Sequence, residues 1–209
     1  MVDVDRISSL GHKMTPLLRV EIANEHSVYL KEVTFEVSQT AGTDYKNYEV
    51  GTVAKRARDS GGLVPKLEYY TKEFQSKNRE KYKLVMPGQF VYRKEGADIG
   101  NFGWNRCQYA FAVSPIYVVF DIDEEKILHD YLFNILRSNY FTQAVQDLMQ
   151  GVARARLSYE SFSQIQIPLP PLSEQKTIVE LEEKIKQSIS DISQLKGQIQ
   201  DKIIQIYSN

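Results

Sequence analysis

The chain has 209 residues, 42% of them hydrophobic, and a formal net charge of −1, which suits one globular domain of about 150 to 170 residues plus an extension. Its single cysteine, Cys107, excludes an intrachain disulfide. The sequence shows neither a signal-peptide pattern nor an apolar run near the roughly 20 residues of a membrane span. We therefore expect a cytoplasmic protein that does not cross a membrane.

Charge is unevenly distributed along the chain. Residues 40–110 hold thirteen Lys and Arg against eight Asp and Glu, a local net charge of +5, while the rest of the chain carries −6. Local charge, not the total, decides whether a surface attracts DNA phosphates. The near-neutral total therefore does not exclude a nucleic-acid partner.

The first predicted strands follow an N-terminal segment to which we assign no role. Apolar residues three or four apart within residues 1–25 indicate a short amphipathic helix. Residues 28–38 alternate in polarity and predict a strand, residues 41–43 a turn, and residues 48–53 a second strand.

A basic loop comes after the second strand. Residues 54–62 read Ala-Lys-Arg-Ala-Arg-Asp-Ser-Gly-Gly. Arginine can donate two hydrogen bonds to guanine, and lysine supplies a point charge. The alternative is a solvated charged loop. The candidate DNA-binding residues of this loop are Lys55, Arg56, Arg58 and Ser60.

Basic and aromatic residues are mixed over residues 66–83. Aromatic rings can stack on bases or pack in the domain's own core, and the second use is commoner. Lys66 is a candidate DNA-binding residue of this stretch. Residues 82–92 then predict a strand, a Pro-Gly turn and another strand.

A loop with three glycines, residues 95–108, follows that strand. Residues 109–114 and 116–122 come next as apolar strands, and Pro115 between them predicts a bend or a sheet edge. The domain is thus mainly β to this point. The candidate DNA-binding residues in and before the loop are Arg93, Lys94, Asn101, Asn105 and Arg106.

Two helices are predicted after these strands. Apolar residues share one helical face over residues 124–138, and a second helix over residues 140–150 ends at a glycine. A polar turn over residues 151–156 adds Arg154 as a candidate DNA-binding residue. Residues 165–169 predict one more strand.

The C-terminal part predicts a proline-rich junction and a long helix. Pro168, Pro170 and Pro171 interrupt the preceding structure because proline lacks an amide donor. Ser173 is predicted to cap the helix, with Glu174 in its first turn.

The long helix carries a heptad pattern. Isoleucine fills every a position and Leu181 and Leu195 fill two d positions, whereas Ser188 and Lys202 occupy the others. A helix roughly 50 Å long with such a stripe is expected to need a partner helix. The alternative is that it packs on its own domain. The predicted dimerisation residues are Ile178, Leu181, Ile185, Ile189, Ile192, Leu195, Ile199, Ile203 and Ile206.

The sequence lacks the residue patterns of common enzymes. It has no phosphate-binding glycine loop, no Gly-x-Ser-x-Gly elbow and no metal-like spacing of histidines. The Asn/Asp-Pro-Pro-aromatic tetrapeptide of adenine methyltransferases is also absent. Glu-x-Lys triplets begin at Glu124 and Glu182, where solvated helix charges are the simpler interpretation. We interpret the chain as a binding protein and not as an enzyme.

Several stretches resemble type I restriction-modification specificity subunits. Residues 165–175, Ile-Gln-Ile-Pro-Leu-Pro-Pro-Leu-Ser-Glu-Gln, are similar to that family's junction between target recognition domain and conserved spacer helix. Residues 85–92, 113–120 and 151–162 resemble it in order and spacing. The resemblance covers residues 28–207.

The resemblance implies an α+β fold, in which a mainly β target recognition domain with a few helices precedes a long C-terminal coiled-coil helix. We divide the chain into an N-terminal segment (1–25), a DNA-binding domain (26–170) and a spacer or dimerisation helix (171–209). Family members usually have two of each part, so this chain is similar to a half-subunit. We expect it to pair with a second copy, most simply antiparallel, and to read an interrupted palindrome.

The resemblance also implies that the ligand is double-stranded DNA and that the chemistry belongs to partner subunits. Methyltransferase (M) subunits would use S-adenosylmethionine to methylate adenine, and a restriction (R) subunit would cleave DNA with ATP and Mg²⁺. No cofactor is expected on this chain. Two other functions stay open: a coiled-coil interaction module with a protein-binding head, and a nuclease that uses one Glu-x-Lys triplet.

Overall fold

The computed structural model describes residues 27–54, 61–69, 78–149 and 156–207. A head of short strands and helices is joined to one long C-terminal helix. The helix predicted within residues 1–25 lies outside the described part. In chain order the elements are β1 (Ser27–Tyr29), β2 (Thr34–Val37), β3 (Glu49–Val53), β4 (Leu63–Pro65), α1 (Lys66–Tyr69), β5 (Lys83–Val85), β6 (Phe90–Arg93), β7 (Phe102–Trp104), β8 (Phe111–Val113), β9 (Tyr117–Ile122), α2 (His129–Leu136), α3 (Asn139–Met149), α4 (Tyr159–Ser163), β10 (Gln166–Pro168) and α5 (Leu172–Tyr207).

The strands of the described residues form two four-stranded sheets and one two-stranded sheet. The first sheet is antiparallel, in the order β2-β9-β6-β7. The second has the order β4-β3-β8-β5, and in it β3 and β8 are parallel. Strands β1 and β10 pair with each other. The start of the described chain therefore lies beside the strand that precedes the long helix.

The first sheet lies between the helices and the second sheet. Because side chains alternate along a strand, Val118 and Phe120 of β9 pack with α2, α3 and α4. Tyr117 and Val119 pack instead with residues of the second sheet. Burial on both faces explains why the sequence of β9 is almost continuously apolar.

One strand prediction is wrong in its extent. Residues 28–38 do not form one strand, because a 3-10 turn over Leu30–Glu32 separates β1 from β2. Leu30 is fully buried in this turn, and its N–H donates to the carbonyl of Ile165 at 3.0 Å. Buried apolar contact and this long-range hydrogen bond outweigh the local alternation.

The turns predicted around Pro87 and Pro115 carry the chain between sheets. The Pro-Gly turn after β5 leads from the second sheet to the first, so β5 and β6 are not partners. Pro115 lies between β8 of the second sheet and β9 of the first. The predicted bend is confirmed, and its role is to join the two layers.

The helix predicted over residues 124–138 begins later, at His129. The amides of Lys126 and Ile127 donate to the carbonyl of Asp123, which makes this stretch a turn. Helix α3 agrees with the prediction for residues 140–150 to within one residue.

The long helix is confirmed as one continuous element of 36 residues. Ser173 is not its cap, because the helix already includes Leu172. The carbonyl of Pro171 accepts hydrogen bonds from the amides of Glu174 and Gln175 at 2.9 and 3.0 Å. The structure is thus an α+β fold with a mainly β head and a long C-terminal helix.

Candidate nucleic-acid interface

The basic loop predicted to bind DNA connects β3 to β4. These strands pair antiparallel, and the amide of Ala54 donates to the carbonyl of Gly62 at 2.8 Å to close the loop. The loop residues Lys55, Arg56, Arg58 and Ser60 lie outside the described residues. The structure therefore locates where the loop leaves and rejoins the head, which we call the loop base.

The loop base is fixed against β7. The amide of Trp104 donates to the carbonyl of Gly61 at 2.7 Å. Gly61 has a φ of +85°, and a Cβ there would lie 2.5 Å from the carbonyl oxygen of Trp104. Only glycine fits such a close approach without strain, so the glycine pair anchors the loop.

Arg106 lies at this anchor. Its guanidinium carbon is 4.3 Å from the centroid of the Trp104 ring, and it forms an ion pair with Asp130. The Arg106 side chain nevertheless keeps 39% of its exposure. Stacking and pairing hold the guanidinium in one orientation at the surface, beside the loop that carries Lys55, Arg56 and Arg58.

Helix α2 packs against the Trp104 ring through His129. The His129 ring stacks on Trp104 with centroids 5.1 Å apart and on Phe90 at 5.7 Å. Trp104, His129 and Asp130 are not among the site residues predicted from the sequence. Since Asp130 lies 24 residues from Arg106, no local pattern connects them.

A second basic group lies at the other end of β6. Arg93 is exposed and pairs with Glu95 at 3.4 Å, while Arg156 pairs with the same carboxylate at 2.8 Å. The carbonyl of Lys94 accepts the amide of Leu157 at 3.0 Å. Because Phe90 pairs with Trp104 at one end of β6 and Arg93 ends the strand, this group is separate from Arg106.

The remaining candidates are distributed over both regions. Half-buried Asn101 precedes β7, so it lies at the Arg93 end of the β6–β7 hairpin. Lys66 follows β4 at the end away from the loop base, since Leu63 is the β4 residue that pairs with Val53. Arg154 lies outside the described residues.

Asn105 is not at the surface. Its residue exposure is 1%, and its Nδ2 donates to the carbonyls of Val85 and Tyr109, each at 2.9 Å. Its Oδ1 accepts the amide of Cys107 at 3.0 Å. We therefore correct the prediction for Asn105: its side chain holds the turn that orients Arg106 and does not face a ligand.

The opposite edge of the first sheet is acidic. A cleft beside β2 and the end of β9 is lined by Glu32, Asp121, Asp123, Glu124 and Glu125. The hydrogen bond from Lys126 lowers the pKa of the Asp123 carboxyl below its usual value. The five carboxylates outnumber the one lysine that lines the cleft, Lys31, so this edge is a poor surface for phosphate groups.

The long helix exposes its apolar stripe. Ile178 differs from the other predicted dimerisation residues, because it is half-buried against the core of the head together with Val179. The side chain of Ile206 is outside the described part. The exposed apolar residues of α5 beyond this contact are Leu181, Ile185, Ile189, Ile192, Leu195, Ile199, Ile203 and Ile204.

Within the described residues, no helix combines the length and the apolar character that a membrane crossing requires. The Glu124 triplet lies in the turn before α2, where Lys126 pairs with Asp123 at 2.8 Å. The Glu182 triplet lies on α5.

The fold is similar to that of chains in two solved structures. The HsdS subunit from Thermoanaerobacter tengcongensis matches with a TM-score of 0.55 and 17% identity, over 90% of this chain and 47% of that chain. A chain in a structure on complex assembly and conformational transition of the type I R-M system matches with a TM-score of 0.52 and 16% identity, over 93% and 50%. At these identities the likeness concerns the fold.

The family is shown by sequence. Residues 34–203 match the family model described as the type I restriction modification DNA specificity domain. The chain therefore belongs to this family, and the match includes both the head and most of α5. A comparison with curated proteins found no match. The chain spans about half the length of the solved chains it resembles.

Proposed function

We propose that the chain is the DNA-specificity component of a type I restriction-modification enzyme, whose head recognises one half of a bipartite target. The observation that carries this proposal is the guanidinium of Arg106, stacked on Trp104 and paired with Asp130 at the base of a loop with three cationic residues. An oriented arginine combined with further cationic side chains allows both base recognition and phosphate contact. Membership of the specificity-domain family supports the same conclusion.

The charge distribution supports one side of the head as the side that faces DNA. The loop base and Arg106 lie at the β7 edge of the first sheet, whereas the acidic cleft lies at the β2 edge. DNA bound at the β7 edge meets cations and avoids the carboxylates.

The exposed stripe of α5 fits a second copy of the chain. In a parallel pair the d layer at Lys202 would bring two ammonium groups together within the seam. In an antiparallel pair, Leu181 lies opposite Ile199 of the second copy and Ile185 lies opposite its Leu195. In the same register Ser188 lies opposite Ile192 at the centre, and the apolar layers lie on either side of it. The antiparallel pair therefore separates the two lysines, each of which lies opposite an Ile178 at an end of the seam. We favour this arrangement.

An antiparallel pair has consequences for the target. Two identical heads at opposite ends of a two-fold symmetric dimer would read inverted copies of one half-site. The expected target is a palindrome interrupted by base pairs that neither head contacts.

The catalytic steps are assigned to other subunits. We propose that methyltransferase subunits dock on the chain and methylate adenine with S-adenosylmethionine. A restriction subunit would use ATP and Mg²⁺ in the full complex. The chain itself would bind no cofactor and would act by selecting the DNA sequence.

Selection from a pool of random DNA duplexes tests this function. The purified full chain, alone and with its methyltransferase subunit, should enrich an interrupted palindrome. Affinity for the selected duplex should fall by on the order of 1,000-fold between 50 and 200 mM salt if about six phosphates are contacted. A pool that stays unenriched under both conditions would overturn the proposal and favour a protein-binding head.

A cleavage assay with divalent metal tests the remaining alternative. Metal-dependent cleavage by the chain alone, lost in Glu124→Ala, would identify a nuclease instead.

A further inference from the structure

Gln175, in the first turn of α5, is fully buried at the joint between head and helix. Its Nε2 donates to the carbonyls of Lys126 and Pro170, each at 2.8 Å. Its Oε1 accepts the amide of Leu128 at 2.9 Å. Both amide hydrogens and the oxygen are thus used, and one side chain connects the turn before α2, the proline junction and the long helix.

Neighbouring contacts make this joint rigid. The hydroxyl of Tyr131 donates to the carbonyl of Pro168 at 3.0 Å. Ile178 and Val179, one turn beyond Gln175, pack against the core of the head. From Leu181 to Ile204 the large apolar side chains of α5 are exposed. The direction of the helix relative to the head is therefore fixed within its first two turns.

The joint is also connected to the candidate DNA-binding residue. Gln175 holds the amide of Leu128, and the next residue, His129, stacks on Trp104. The residue after that, Asp130, pairs with Arg106. Three consecutive residues thus link the base of the long helix to the guanidinium at the surface.

We propose that Gln175 is a positioning residue that sets the distance between the two half-sites, without itself touching DNA. This inference rests on the proposed function. At about 1.5 Å per residue α5 is roughly 54 Å long, so a tilt of about 4° moves its far end by one base-pair rise of roughly 3.4 Å. A joint that selects one spacing must hold the helix within a few degrees. Buried hydrogen bonds from one short side chain supply such a constraint.

Selection from the random duplex pool, performed in parallel on full-length wild type and Gln175→Ala, tests the inference. The readouts are the sequence of the enriched half-site and the distribution of spacings between its two copies. Wild type should enrich one spacing. Gln175→Ala should enrich the same half-site sequence with a distribution widened by one or more base pairs on each side. Gln164→Ala, which removes an exposed glutamine of the head, should behave as wild type.

Val179→Ala gives an independent test, because it loosens the same joint by packing and leaves Gln175 intact. If circular dichroism shows that Gln175→Ala is unfolded, the spacing distribution of Val179→Ala tests whether the joint sets the distance between half-sites. A single unchanged spacing in the folded variants overturns the inference and leaves the proposed function standing. Loss of the half-site sequence itself in folded Gln175→Ala also overturns it, because the residue would then act on the fold of the head. A wild-type chain that enriches no sequence overturns the proposed function and this inference with it.

Discussion

The guanidinium of Arg106 is ion-paired with Asp130 while it lies on the face of the Trp104 ring. Two contacts of different kinds restrict the same side chain, so little conformational entropy is left to lose when a ligand binds. The planar group can therefore select among base edges, whereas a freely rotating cation would only contribute charge.

Replacement of Arg106 should reduce both affinity and selectivity. Arg106→Ala should cost about 1–3 kcal/mol of DNA-binding free energy and relax the choice at one base position. Arg106→Lys should restore affinity more than selectivity, because lysine lacks the planar pair of donors. Fluorescence anisotropy with the selected duplex and its single-position variants measures both effects. Lys46→Ala, which removes an exposed cation elsewhere on the head, is the control. An equal loss on all duplexes would show a phosphate contact instead.

Removal of Asp130 should show whether the ion pair orients the guanidinium of Arg106, apart from the charge that Asp130 itself contributes. Asp130→Ala leaves Arg106 in place and takes away its ion-pair partner. We expect binding to unrelated duplexes to strengthen, since one carboxylate less repels phosphate, and the preference for the selected duplex to shrink. The ratio of the two dissociation constants is the measurement. A ratio equal to that of wild type would mean that Asp130 does not orient Arg106 in the complex.

A charge in the middle of the α5 stripe should break the pairing of two copies. Ile192 is 42% exposed and occupies a central a position, so Ile192→Asp would bury two carboxylates in the antiparallel seam. Sedimentation should change from dimer to monomer, and binding to the two-half-site duplex should weaken towards that of one half-site. Ser190→Asp places the same charge outside the seam and should leave the dimer intact. A dimer that persists in Ile192→Asp would rule out this stripe as the interface.

Asn105 should prove important for stability. The Asn105 side chain makes three hydrogen bonds and the residue is 1% exposed. Asn105→Ala should therefore lower the free energy of unfolding by about 2–4 kcal/mol, because two backbone carbonyls and one backbone amide lose their partners. Urea denaturation followed by circular dichroism measures the change. Half-buried Asn101 supplies the matched variant, and Asn101→Ala should shift the free energy by under about 0.5 kcal/mol. Equal effects of the two substitutions would contradict the structural role of Asn105.

Local patterns in the sequence predicted most elements. Alternation and β-branched residues located β3 and β9, and the seven-residue isoleucine spacing located α5 with its exposed stripe. These features depend on neighbours within about one heptad, so they can be read without knowledge of the fold. The heptad pattern does not show that the head covers the helix at Ile178, which depends on tertiary packing.

Contacts between residues far apart in the sequence decided the features that local patterns did not predict. The predicted strand over residues 28–38 was divided because Leu30 bonds to Ile165, and Asn105 turned inward because Val85 offers a carbonyl 20 residues away. Asparagine in a glycine-containing loop suits a ligand contact and a buried turn equally well, and its burial alone distinguishes them.

The sequence by itself determined that a mainly β head precedes a long heptad helix and that cations gather between residues 40 and 110. Such properties follow from residue type and short-range spacing. Only the tertiary structure decided that Gln175 joins helix to head through residues 47 and 49 positions away, and that Arg106 rests on Trp104 beside the basic loop. Packing and hydrogen-bond partners across such separations arise when the chain folds, because sheet order and helix docking bring the residues together.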